Sequence, residues 1–296
     1  MKAALLPDRG AIRVSGETAR SFLNGLLTAN IETLTPGAAR FGALLTPQGK
    51  IIADGIVIEA PAEDGGGFFI DCPRALAGTL ADRLTFYKLR AKIAIEDLSE
   101  TLGVMAVWGG AAATEYGLAY PDPRLPALGQ RVILPPHVAS EAAADMGAAL
   151  VDAAEYDAHR IALGVPRGGL DFIYGDAYPH DADMDQLGGV DFRKGCYIGQ
   201  EVVSRVEHRG SARSRVVPVL CEGGSPDAGL PVMAGEKTIG TMGSSAGGRG
   251  LALIRLDRAE EAFAAGLPIM AGNVTLKLAP LDWATFAIPG QAKATE

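Results

Sequence analysis

The sequence predicts an α+β fold with a small closed β domain at its C-terminal end, and three observations carry that prediction. Strand and helix patterns alternate through the first two-thirds of the chain, but the strands come in hairpins rather than regular crossovers, which disfavours a doubly wound parallel sheet. From Arg215 onward, short strand patterns are divided by Gly, Pro and Ser turns. The 296 residues are 48% hydrophobic and 21% charged, the composition of a soluble globular chain with room for more than one domain.

Residues 17–27 read as a helix, with Phe22, Leu23, Leu26 and Leu27 on one face. Residues 40–45 and 51–58 form a hairpin about the turn Thr46-Pro47-Gln48-Gly49. The Gly65-Gly66-Gly67 run precedes a strand over 68–70, then come a helix over 73–86 and a strand over 91–95. Residues 102–136 are short-stranded, because Pro121, Pro123 and Pro126 limit any helix. Helices are predicted over 139–150 and 153–163, the second stopped by Gly164-Val165-Pro166. Residues 171–189 form an acidic loop with five aspartates. The closing β domain takes strands at 216–220, 231–233, 238–241, 251–256 and 274–278.

The net charge of -8 excludes a protein that coats nucleic acid or anionic membrane with its whole surface. No apolar run approaches the roughly 20 residues needed to cross a bilayer, so no membrane partner is expected. Cys72, Cys196 and Cys221 are widely spaced and form no CxxC pair, which points to neither a disulfide framework nor structural zinc. A reducing cytoplasm is the expected compartment. Residues 1–14 show no signal or transit pattern. The four histidines are dispersed, and no metal site is expected.

The most unusual run is Lys194-Gly195-Cys196-Tyr197-Ile198-Gly199-Gln200-Glu201, continuing to Arg205. Its glycines allow tight turns or close backbone approach. Nearby cations favour a thiolate, which makes Cys196 a candidate for chemistry. The competing reading is a small buried hydrophobe, and Cys72 and Cys221 are read that way. Residues 193–215 hold Arg193, Lys194, Arg205, Arg209, Arg213 and Arg215 against Glu201 and Glu207. Such a segment suits the carboxylates of a ligand, RNA phosphates, or a solvated hinge.

Taken together, these segments resemble the YgfZ-type folate-binding proteins, relatives of the aminomethyltransferase (T protein) of the glycine cleavage system. Mitochondrial relatives of that family assist iron–sulfur cluster assembly. Four runs carry the likeness beside residues 194–205. They are Val14-Ser-Gly-Glu-Thr-Ala-Arg-Ser-Phe-Leu-Asn-Gly-Leu-Leu-Thr-Ala-Asn30, Thr46-Pro-Gln-Gly-Lys-Ile-Ile-Ala-Asp54, Tyr87-Lys-Leu-Arg-Ala-Lys-Ile-Ala-Ile-Glu-Asp97 and Arg160-Ile-Ala-Leu-Gly-Val-Pro166. The resemblance implies a GcvT-like folate-binding body of two α+β subdomains around a central channel, plus a small C-terminal β-barrel. The corresponding parts are residues 1–98, 99–212 and 213–296.

In that picture tetrahydrofolate, or a one-carbon derivative, is the cofactor, and iron–sulfur client proteins or assembly factors are the partners. Cys196 is the signature thiol and acts as nucleophile, redox handle or transient cluster ligand. Asp54 is the second catalytic candidate, because the glycine-cleavage relatives place two adjacent acids in this strand. Here the pair reads Ala53-Asp54, a departure that counts against aminomethyl transfer and leaves folate binding in place. Asp54, Tyr156, Lys194 and Arg205 are the implied ligand contacts. Tyr156 stands where the family places an aromatic against the pterin; core packing is the alternative for it, and an exposed strand aspartate for Asp54. Arg160, one turn beyond Tyr156, either meets the ligand or neutralises Glu155 or Asp157, and the structural salt bridge is the favoured reading. Two other functions stay open: a folate-dependent aminomethyltransferase or demethylase-like enzyme centred on Asp54, and a non-catalytic adaptor that binds RNA or a client protein.

Overall fold

Two strands, β1 (Lys2–Leu6) and β2 (Arg9–Ser15), meet at the turn Pro7-Asp8 and then enter different sheets. The structure, a computed structural model, describes residues 1–210 and 212–290. Contacts divide the chain into two units, one of Met1–Tyr156 with Leu187–Glu201, the other of Asp157–Gln186 with the chain from Val202 on.

In the first unit, β2 joins β3 (Ala39–Leu45), β4 (Ile51–Glu59), β5 (Phe68–Pro73) and β6 (Ala94–Asp97) in an antiparallel sheet of order β3-β4-β5-β2-β6. Alternation along the strands puts Ile12, Val14, Ala53, Val57 and Ile70 on one face. Helices α1 (Ala19–Leu26) and α2 (Arg74–Lys88) cover that face with Leu23, Leu26, Leu80 and Leu84. The hairpin and both helices fall where the sequence predicts them. The strand expected over 91–95 lies further on, at Ala94–Asp97, where it pairs with β2.

The second sheet has the order β10-β1-β7-β9-β8, with β7 (Gly103–Trp108), β8 (Leu118–Pro121) and β9 (Gln130–Leu134). Helix α3 (Ala139–Asp145) closes its core against Met105, Val107, Val132 and Leu134. The helix expected over 139–150 stops early because Gly147 adopts φ +67, a left-handed conformation that ends helices. The residues after it form β10 (Ala149–Leu150), parallel to β1. Helix α4 (Ala153–Ala162) and helix α5 (Gln200–Arg209) each run across the boundary between the units.

Opposite the helix-covered face of the first sheet, Asp71 of β5 is buried and accepts from groups of both sheets. Arg9 Nε and Arg131 Nη1 reach it at 2.6 Å each, and the Tyr120 hydroxyl at 3.0 Å. Arg131 also donates to Asp122 at 3.0 Å, and Asp122 takes two further bonds from the Arg124 side chain. Burial alone would raise the Asp71 carboxyl, but the Arg9 and Arg131 guanidinium groups overcome it and hold the acid below its ordinary value. The division expected at 98/99 falls between β6 of the first sheet and β7 of the second, both within one unit, and the two sheets share a buried ionic network.

The second unit contains β11 (Ser214–Glu222), β12 (Pro231–Ala234), β13 (Lys237–Ala246), β14 (Arg249–Arg255), α6 (Leu256–Ala264), β15 (Ile269–Ala271) and β16 (Val274–Leu278). Its six strands close into a barrel of order β11-β14-β13-β12-β15-β16, filled by Val217, Val219, Val232, Ile239, Met242 and Ile254. Asp171, the first residue of the acidic loop, clamps onto β13. Its carboxylate accepts from Ser244 N and from Arg160 Nη1, both at 2.7 Å. Arg160 also pairs with Asp157 at 2.6 Å, so it is the structural salt bridge the sequence suggests.

Replacing Asp71 by Asn takes one carboxylate partner from the buried Arg131 and the ion-pair partner from the partly buried Arg9, and is expected to lower the unfolding free energy by about 3 kcal/mol in urea titration. A loss below about 1 kcal/mol would remove the network from the list of structural determinants. Because the folded carboxyl titrates below its unfolded value, its contribution is present above about pH 4 and is lost as the pH falls further.

Candidate functional site

Residues 189–199 are fixed to the body of the first unit at both ends, which leaves Cys196 held between two anchors. At the first end, Asp191 N donates to Thr28 O at 3.0 Å, and Thr28 Oγ1 bonds Gly189 O. The Asp191 carboxylate accepts from the backbone of Arg193 at 2.8 Å and of Lys194 at 3.1 Å. Lys194 then turns inward. Its ammonium donates to Asn24 O at 2.6 Å and to Leu27 O and Ala29 O at 2.7 Å, which uses its three donors on carbonyls in and just beyond the last turn of α1. Burial lowers the Lys194 pKa to about 8, opposed by Asp191 and Glu32, while the three carbonyls favour the charged form. At the other end, Gly199 adopts φ +81 and a Cβ there would lie 2.5 Å from Thr46 O, so the turn 46–49 closes on it.

Between these anchors the side chains differ in exposure. Tyr197 is buried, its ring 5.3 Å from the Lys194 ammonium, and burial pushes its hydroxyl up to about 12. Ile198 packs against the core of the first sheet. Cys196 is exposed, and a Cβ added at the preceding Gly195 would meet nothing within 4 Å. The thiol is thus presented to solvent by an anchored loop, which excludes the buried-hydrophobe reading. Cys72 is the opposite case: it lies in the core, and burial raises its thiol to about 12.

The other site residues divide. Asp54 sits on β4 opposite Ala43 and is 8% exposed, so it is no exposed strand aspartate. Cross-strand neighbours share a face, which puts Asp54 on the same side of the sheet as Phe41. The sequence offers Tyr156 as a pterin platform with core packing as the alternative; its ring is buried, lies 5.4 Å from Trp108, and has the Arg131 guanidinium 6.0 Å from its centre. Lys194, also expected at the ligand, spends its three donors on bracing the loop. Arg205 is exposed on α5 and falls in the second unit, apart from the unit that holds Asp54, Tyr156, Lys194 and Cys196.

A residue that the sequence reading passed over stands beside the loop. A polar cavity of about 600 Å³ is lined by Asn30, Thr33, Arg40, Phe41, Asp191 and Arg193, among others. Asn30 Oδ1 is buried with no hydrogen-bond partner among the described residues. The available signal was position, since Asn30 ends the first of the quoted motif runs. Arg215, counted in the sequence as part of a basic segment, is buried and paired with Asp183 and Asp185.

Residues 8–115 match the family model described as the GCVT N-terminal domain, and residues 213–286 match the CAF17 C-terminal beta-barrel domain. The chain is similar to "Iron-sulfur cluster assembly factor IBA57 homolog, mitochondrial" of Pyricularia oryzae, 32% identical over 93% of this chain and 78% of that protein. It is similar to human "Iron-sulfur cluster assembly factor IBA57, mitochondrial", 30% identical over 84% of this chain and 76% of that protein. It spans 57% and 54% of the length of two further fungal relatives of the same name, from Mycosarcoma maydis and Neurospora crassa. Among solved structures, the glycine cleavage system aminomethyltransferase T of Bartonella henselae matches with a TM-score of 0.76 and 17% identity, over 96% of this chain and 86% of that one. The fold is therefore a GcvT-like α+β body with a closed C-terminal barrel. The expected cytoplasmic compartment is corrected: these relatives are named as mitochondrial and point to the mitochondrion. Unpaired cysteines report a reducing environment, and they do not choose among compartments that provide one.

Ellman-type titration of the native protein is expected to show Cys196 reacting fast and Cys72 only after unfolding. Cys221 is partly buried, so the control carries Cys221→Ser; a fast phase that persists when Cys196→Ser is added to it would overturn the presented-thiol geometry. Lys194→Met is expected to cost about 2–3 kcal/mol of stability in urea unfolding, since it removes three charge-assisted bonds and leaves their carbonyls short of donors.

Proposed function

We propose a function from one premise: the chain belongs to the IBA57 family of iron–sulfur cluster assembly factors. It supports assembly or repair of iron–sulfur clusters, with Cys196 as the thiol that handles a cluster carried as cargo. The observation that carries this reading is the exposure of Cys196 on a loop anchored by Lys194 and Gly199. Cysteine-held clusters are generally ligated by four thiolates, and this loop offers one. A second protein with cysteines, an assembly factor or a client, must complete the set. Ligation takes the thiolate, so Cys196 gives up its proton when the metal arrives.

Tetrahydrofolate, or a one-carbon derivative, belongs to the same proposal, and the residues of the first unit fit it in part. The cavity beside the loop is about 600 Å³, within the range of small-molecule sites. Asn30 Oδ1 is an acceptor in want of the kind of N–H a pterin carries, and Arg40 and Arg193 suit glutamate carboxylates. Asp54 is on the sheet face that Phe41 contributes to this cavity. Bound folate would supply a reduced pterin able to carry a one-carbon unit. Arg205 is kept as a proposed ligand contact of the second unit. The likeness to YgfZ-type proteins is part of this reading.

The adaptor reading is weakened by what the cations do. Of the six in residues 193–215, Lys194 and Arg215 are buried and spent on internal partners, so two of the cations counted for RNA are already committed.

In cells lacking the wild-type protein, Cys196→Ala is expected to leave the activity of a [4Fe-4S] enzyme unrestored; full rescue would sink the thiol-centred function. Calorimetry with tetrahydrofolate should show binding that Asn30→Ala weakens by about 3- to 10-fold, the worth of one hydrogen bond. If the wild type binds none, folate leaves the account while the Cys196 test stands.

A further inference from the structure

We propose that the second unit holds a divalent-cation site formed by His180, Asp185 and Glu207, with Asp183 beside it. The three ligand residues come from the acidic loop and from α5. One ligand atom from each lies within 4.8 Å of the other two, and His180 Nε2 is 3.1 Å from Glu207 Oε2. Ligands about 2.0–2.2 Å from a common ion stand about 3–4 Å from one another, so small side-chain adjustments suffice to enclose one.

The three residues are graded in exposure. His180 and Asp185 have side chains 3% exposed, whereas Glu207 is 43% exposed. The imidazole and one carboxylate form the floor, and the other carboxylate stands at the mouth, where an ion and its waters enter.

Asp183 supplies the independent observation. It is fully buried at φ +54, a left-handed conformation rare for a residue with a Cβ. Its Oδ1 and Asp185 Oδ1 both accept from Arg215 Nη1, at 3.2 and 2.6 Å, so the two carboxyl groups stand side by side. Its Oδ2 has no hydrogen-bond partner among the described residues. A buried acceptor left that way is costly, and a cation held by the three neighbouring residues would satisfy it through a bound water.

One imidazole nitrogen with carboxylate oxygens and no thiolate is a donor set for Mn(II), Fe(II) or Zn(II), and not for copper(I) or an iron–sulfur cluster. The site therefore stands apart from the chemistry proposed for Cys196 and does not rest on it. The competing explanation is an ion pair between His180 and Glu207 with no metal.

The test uses the full chain stripped with a chelator. Titration with Mn(II), followed by the loss of its free-ion EPR signal, should show one ion bound per chain and a rise in the melting temperature. Zn(II) should bind more tightly, as the order of divalent affinities requires. Glu207→Gln sits at the exposed mouth and should keep the fold, while weakening Mn(II) at least about tenfold, since even outer-shell partners are worth that much. His180→Ala should abolish binding, and Glu236→Gln on the exposed barrel surface should change nothing. Equal Mn(II) affinity in wild type and Glu207→Gln, or no binding of either ion by the wild type, would overturn the site and leave the ion pair as the explanation.

Discussion

Burial of the Asp71 charge is the constraint from which the first unit is built. A carboxylate without water needs compensation from more than one side, and here each sheet supplies part of it: Arg9 from one, Arg131 and Tyr120 from the other. Neither sheet can move without uncovering an acid or stranding a guanidinium. The same arginine reaches Asp122 and the ring of Tyr156, so the network also decides what Tyr156 can do. A residue that an alignment of motifs would place at a ligand is committed to the core by a charge from a neighbouring strand.

Lys194 applies the same logic to a loop. Its three carbonyl partners lie in and after the last turn of α1, where a helix leaves acceptors unpaired. One ammonium therefore finishes a helix and anchors the segment that carries Cys196. The exposure of the thiol is a consequence of how tightly its neighbours are held. A flexible loop would present a thiol too, but it would have to lose that freedom whenever a metal or a partner fixed the sulfur.

Much of the fold was legible because it obeys short-range rules. The hairpin of β3 and β4 follows from alternation and a Pro-Gln-Gly turn, and five of the six barrel strands follow from the same signals. The sixth, β15, has three residues, too few for a periodic signal. Helix α5 escaped for a related reason: its apolar residues, Val202, Val203 and Val206, span little more than one turn, and Val203 is the one that is buried. The site was legible only in part. Cys196 announced itself through its run of neighbours. The tasks of Lys194, Tyr156 and Arg215 were hidden, because each is set by partners distant in sequence, as when Lys194 meets Asn24 across 170 positions. His180, Asp185 and Glu207 were invisible as a group for the same reason, and dispersed histidines were read as silent.

Gly195 shows what the anchored loop forgoes. Its φ is not in the left-handed region, and a Cβ there would meet nothing. An alanine would therefore fit the native backbone while narrowing the unfolded ensemble, a change generally worth about 0.4–1 kcal/mol in favour of folding. The glycine is not demanded by the fold. It strips the shoulder next to the sulfur of every carbon that could shade it, and the chain carries extra disorder in its unfolded state to keep that approach bare.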